Sequence, residues 1–137
     1  MAFEPRRILV VDDEPGIQRI FTRALANYGL VAEVAGNADE AMTRLEGGAF
    51  DVIVTDVNMP GADGIAFLRI CRERYPHIPV IVMSGRPSDA VMTRALVAGA
   101  YRYLVKPVMP SALRQVIESA IAALPGGPHR GPPEPAK

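Results

Sequence analysis

The amino-acid sequence predicts an α/β fold: a doubly wound, five-stranded parallel sheet with five helices. Three observations predict it. Short apolar runs rich in Val and Ile, too short for stable helices, recur along the chain. Segments with apolar residues at helical spacing lie between them, bounded by Gly, Pro and capping residues. The two kinds alternate throughout, which gives right-handed crossovers and covers both faces of the sheet with helices.

Arg6 and Arg7 lead into Ile8-Leu9-Val10-Val11, a strand buried on both faces, and Asp12-Asp13-Glu14 follow at its C-terminal end. Pro15 suits the first turn of a helix, where its missing N–H costs nothing. Ile17, Ile20, Phe21, Ala24, Leu25 and Tyr28 recur at helical spacing until Gly29 stops the helix. Val31 to Ala35 is the second strand. Asn37 with Glu40 three residues on reads as a capping box, opening a helix from Ala38 to about Glu46, and Gly47-Gly48 end it.

The central strand is Val52-Ile53-Val54, delivering Asp56 to its end before Pro60 and Gly61 block continuation. Gly64 opens the next helix, with Ile65, Leu68 and Ile70-Cys71 on it, and Tyr75-Pro76 close it. Val80 to Met83 is the fourth strand, ending on Ser84-Gly85. Ser88 caps a helix to about Ala98, and Gly99 stops it. Tyr101 to Val105 is the last strand, ending on Lys106-Pro107. Pro110 starts a helix whose Leu113, Val116, Ile117, Ala120, Ile121 and Leu124 form a wide apolar stripe.

This organisation gives one folded domain over residues 1–124. Residues 125–137 hold five of the 13 prolines and no large apolar side chain, so a disordered tail or linker is expected there. At 137 residues, with 49% hydrophobic and 22% charged residues, the chain has the composition of a globular protein with a proper core. Fifteen basic residues balance 15 acidic ones, so no direct affinity for nucleic acid is expected. The lone Cys71 excludes an internal disulfide and reads as a buried, inert thiol. No apolar run approaches a membrane span and no leader pattern opens the chain; a cytoplasmic location is the expectation.

In a parallel sheet all strand C-termini share one edge, so Asp12, Asp13, Asp56, Ser84 and Lys106 converge on one crevice. Clustered carboxylates repel one another unless a cation compensates. Oxygen ligands at a loop edge suit a hard cation, Mg²⁺ above all. Lys106 and the Ser84 hydroxyl can hold an oxyanion beside it, a combination that fits phosphoryl chemistry. Asp56, alone on the central strand opposite the acid pair, is the best candidate for a nucleophile that becomes an acyl phosphate.

These motifs resemble the receiver domain of two-component response regulators: the acid pair after strand one, Asp-x-x-Met-Pro-x-x-x-Gly from Asp56, Ser84-Gly85, and Lys106-Pro107. The resemblance, similar to the chemotaxis response regulator, covers Arg6 to about Leu124. It implies a flavodoxin-like strand order of 2-1-3-4-5. It implies that Asp56 takes phosphoryl from a histidine kinase or phosphotransfer protein. Asp13, Asp56 and the backbone carbonyl of Asn58 would bind Mg²⁺ directly, and Asp12 partly through water. Ser84 and Lys106 would bind phosphoryl oxygens, Pro107 would follow a cis bond, and Tyr103 would be the switch aromatic. Asn58 and Arg86 would tune phosphoryl lifetime.

Such a domain catalyses only its own phosphorylation and dephosphorylation. On phosphorylation Ser84 would move inward and Tyr103 would turn from exposed to buried. A downstream partner or output domain would then read the face made by the fourth helix, fifth strand and fifth helix. Three alternatives compete. An aspartyl-nucleophile phosphatase needs a second acid where Asn58 stands. A flavin-binding domain needs a Ser/Thr-rich phosphate loop where Asp12-Asp13-Glu14 stand. A phosphate-independent binding module of the same shape usually lacks the acids or lysine that are present here.

Overall fold

The β-branched runs pair as one parallel sheet. The computed structural model describes residues 5–59 and 62–124. Strands β1 (Arg7–Val11), β2 (Val31–Ala35), β3 (Val52–Asp56), β4 (Val80–Ser84) and β5 (Arg102–Val105) lie in the order β2-β1-β3-β4-β5. They alternate with α1 (Pro15–Asn27), α2 (Ala38–Gly47), α3 (Gly64–Arg74), α4 (Asp89–Val97) and α5 (Pro110–Ala122). β3 and β4 are buried along their whole length, in keeping with the apolar runs Val52-Ile53-Val54 and Val80-Ile81-Val82-Met83 that precede their polar ends. β2 and β5 are the edges, and both keep exposed positions.

Side-chain alternation divides the core into two layers. Leu9, Val11, Ile53, Val80 and Val82 face α2, α3 and α4, where they meet Ala41, Leu45, Phe67, Leu68, Cys71 and Ala95. Ile8, Val10, Val52, Val54, Ile81 and Met83 face α1 and α5, meeting Phe21, Leu25, Leu113, Ile117 and Ile121. Phe67 is the largest fully buried side chain. Burial pushes the Cys71 thiol up from 9.0 to about 12 against the opposing charge of Arg74, so it stays an un-ionised core residue.

Helix ends follow local chemistry. Asn37 Oδ1 accepts from the Glu40 N–H at 2.8 Å, and Ser88 Oγ from the Val91 N–H at 3.1 Å. The capping box at Asn37 is made on one side: the Glu40 carboxylate turns to Arg44 at 3.9 Å. Gly29 and Gly99 end α1 and α4 with φ of 80° and 105°, a region that glycine enters without strain.

Three differences from the sequence reading stand out. The stripe of α1 is narrower than its periodicity implies, for Ile20 and Tyr28 are exposed and only Phe21 and Leu25 are buried. Arg114 covers the Tyr28 ring at 4.5 Å. A two-residue antiparallel ladder, Asn58–Met59 with Ala62–Asp63, stands between β3 and α3. Tyr101 precedes β5 rather than joining it, and packs toward α5 with its hydroxyl 2.5 Å from Ser119 Oγ. The strand-blocking role expected of Pro60-Gly61 and the tail expected at 125–137 lie outside the described residues. Among the described residues no helix is long and apolar enough to cross a membrane.

Candidate functional site

Sheet register assembles the site. Val11 pairs with Thr55, so Asp12, one residue on, comes level with Asp56. Ser84 pairs with Val105, which puts Lys106 one step beyond. Asp12, Asp56 and Lys106 each extend the alternation of residues facing α1 and α5, namely Val10, Val54 and Leu104. Ser84 instead extends Val80 and Val82, which face the opposite layer.

Lys106 binds the acids directly. Its Nζ donates to Asp12 Oδ2 at 2.8 Å and to Asp56 Oδ2 at 2.7 Å, with Glu14 Oε1 at 4.0 Å. Asp12 and Asp56 are buried, and Lys106 is only 16% exposed. Burial by itself pulls the ammonium down, but hydrogen bonds to Asp12 and Asp56 and their charges outweigh it. The Lys106 pKa therefore lies above the usual lysine value of 10.5. The Lys106–Pro107 peptide is cis.

Each acid is also oriented by backbone. Asp12 Oδ1 accepts from Glu14 N at 2.9 Å, and Asp56 Oδ1 from Asn58 N at 2.9 Å. Gln18 Nε2 donates to the Asp12 carbonyl at 2.6 Å, so α1 pins the end of β1. Sequence reading named Glu14 only within the acid run after the first strand, and did not single out Gln18. Their spacing was the available signal: Gln18 lies one helical turn after Glu14 on the face beside Ile17 and Phe21.

Asp12, Asp13 and Asp56 can each bring one carboxylate oxygen within 4.8 Å of the others. Asp13 is exposed at the rim. An oxygen-only, clustered donor set of this kind fits a hard divalent cation such as Mg²⁺. Lys106 shares its single positive charge between two of the three carboxylates, Asp12 and Asp56.

Ser84 is fully buried, and its hydroxyl donates to Asn58 Oδ1 at 3.1 Å and accepts from Arg86 N at 3.2 Å. Arg86 itself is exposed. Tyr103 is not exposed as the sequence reading expected before phosphorylation. It packs half-buried against the layer of α2 to α4, with its hydroxyl buried and without a hydrogen-bond partner.

The model for "Response regulator receiver domain" matches residues 8–118. The chain belongs to this family. It is 35% identical over 115 residues to the DNA-binding transcriptional regulator NtrC of Salmonella typhimurium, covering 84% of this chain and 24% of that relative. The chain thus spans about a quarter of the length of that curated relative. Among solved structures it is similar to Vibrio cholerae chemotaxis protein CheY4, at TM-score 0.81 and 28% identity, covering 85% of this chain and 99% of that one. It is similar too to the beryllofluoride-activated NtrC4 receiver domain dimer, at TM-score 0.79 and 35% identity, covering 83% and 94%. The chain is therefore a receiver domain of the two-component response regulators, with the strand order of that fold.

Proposed function

We propose that this receiver domain accepts phosphoryl on Asp56 from the phosphohistidine of a histidine kinase or phosphotransfer protein. The observation that carries the reading is the Lys106 ammonium on Asp12 Oδ2 and Asp56 Oδ2 at the sheet edge. A carboxylate oxygen of Asp56 bonds to phosphorus as the P–N bond to the donor imidazole breaks, and that nitrogen keeps the electron pair and takes a proton. Lys106 holds a positive charge where phosphoryl charge arrives, and Ser84 supplies a hydroxyl at the adjacent strand end. Asp13, Asp56 and the Asn58 backbone carbonyl would hold Mg²⁺, with Asp12 acting partly through water. When bound, Mg²⁺ offsets the repulsion between incoming phosphoryl oxygens and the carboxylates.

Signal output is read on the face of α4, β5 and α5. Support comes from apolar side chains left in solvent there: Leu96 and Val97 on α4, Val105 on β5 and Met109 before α5. The apolar stripe of α5, by contrast, is mostly consumed by the core. A downstream protein or an output domain is the reader, and Ser84 and Tyr103 couple the site to that face. Arg86 and Asn58 stand at the rim of the site, where they tune access of the hydrolytic water.

Borohydride reduction after treatment with acetyl phosphate and Mg²⁺ tests the acceptor. Peptide mapping should find one residue, Asp56, converted to homoserine. Conversion at Asp12 or Asp13 instead would contradict the assignment.

A further inference from the structure

The Ser84 hydroxyl is already committed. A serine hydroxyl carries one proton to donate, and here it goes to Asn58 Oδ1 at 3.1 Å, while Arg86 N donates to the same oxygen at 3.2 Å. Ser84 also lies on the opposite pleat from Asp56, continuing Val80 and Val82 rather than Val52 and Val54. It cannot donate to a phosphoryl oxygen on Asp56 until it leaves Asn58.

We infer that the Asn58 side chain is a latch: a positioning residue that holds the Ser84 hydroxyl away from the phosphoryl site, so that the switch must break the Asn58–Ser84 hydrogen bond. The inference rests on Asp56 being the phosphoacceptor. It gives Asn58 two separable roles. Its backbone N–H orients Asp56 through the 2.9 Å bond to Oδ1, and its side chain restrains Ser84. Truncating the side chain removes the second and keeps the first. Asn58 is exposed, so water can replace its amide, and Ser84 is not left unsatisfied in the variant.

Exchanging one protein hydrogen bond for a mobile water corresponds to about a two- to tenfold change in an equilibrium. The test is a double-mutant cycle on beryllofluoride affinity in Mg²⁺, using wild type, Asn58→Ala, Ser84→Ala and the double variant. Asn58→Ala should tighten binding about two- to tenfold where Ser84 is present and leave it unchanged in the Ser84→Ala background. A second readout needs no ligand on the variant. The Arg86 amide resonance of Asn58→Ala should move toward its position in beryllofluoride-loaded wild type, as a shifted population requires. Equal effects in both backgrounds, or looser binding in Asn58→Ala, would overturn the latch alone. A wild-type protein that binds no beryllofluoride would overturn the phosphoacceptor reading and the latch with it.

Discussion

Removing the Lys106 ammonium would leave the buried carboxylates of Asp12 and Asp56 side by side with nothing to neutralise them. In chelator, Lys106→Met should therefore cost about 1–3 kcal/mol by denaturant unfolding. That is less than a fully buried pair because Lys106 keeps some contact with water. The pH dependence has a defined sign. A lysine whose folded pKa is raised contributes stability fully present below its unfolded value of 10.5, and this is lost as pH rises through the folded value. Cys71 acts in the same direction, beginning at 9.0 and ending near 12. Lys106→Met should then keep the decline that starts near 9.0 and make it less steep above 10.5, where the Cys71 contribution continues without that of Lys106. Unchanged stability with an unchanged alkaline limb would contradict this account of Lys106. At this scale the strand-end residues were legible because a parallel sheet brings every strand C-terminus to one edge. The Asn58–Ser84 bond and the half-buried Tyr103 were not, since the first depends on the path of the loop after β3 and the second on how a side chain within β5 packs against its layer.

Gly64 shows how one element boundary fixes the path of the chain beside the site. A Cβ there would stand 2.4 Å from Val57 Cα and 2.9 Å from the Asp56 carbonyl oxygen, all backbone, with no flexible side chain to yield. Gly64→Ala should cost about 1–3 kcal/mol, as overpacking does, and should displace the segment following Asp56. Thermal unfolding together with the amide shifts of Val57 and Asn58 checks it, and a variant with wild-type stability and shifts would contradict it. The sequence marked Gly64 as a helix start but not as a point of close approach, because contact with β3 is tertiary. Helix stops at Gly29 and Gly99 and the cap at Ser88 were legible, being local chemistry. The ladder of Asn58–Met59 with Ala62–Asp63 was not, because two-residue strands carry no periodicity.

At the scale of the molecule, two apolar layers clamp one sheet whose polar edge gathers the site. The alternation of runs implied the layers, and their order in space followed from the family resemblance rather than from periodicity. The edge strand β5 leads at its C-terminal end into Lys106, and its last residue, Val105, is exposed. The central claim is that Asp56 is the phosphoacceptor, and intact mass tests it most directly. Wild type incubated with acetyl phosphate and Mg²⁺ should gain a single base-labile phosphoryl group, which Asp56→Asn and a chelator should each abolish. An adduct that persists in Asp56→Asn, or none in wild type with Mg²⁺ binding confirmed, would contradict the account.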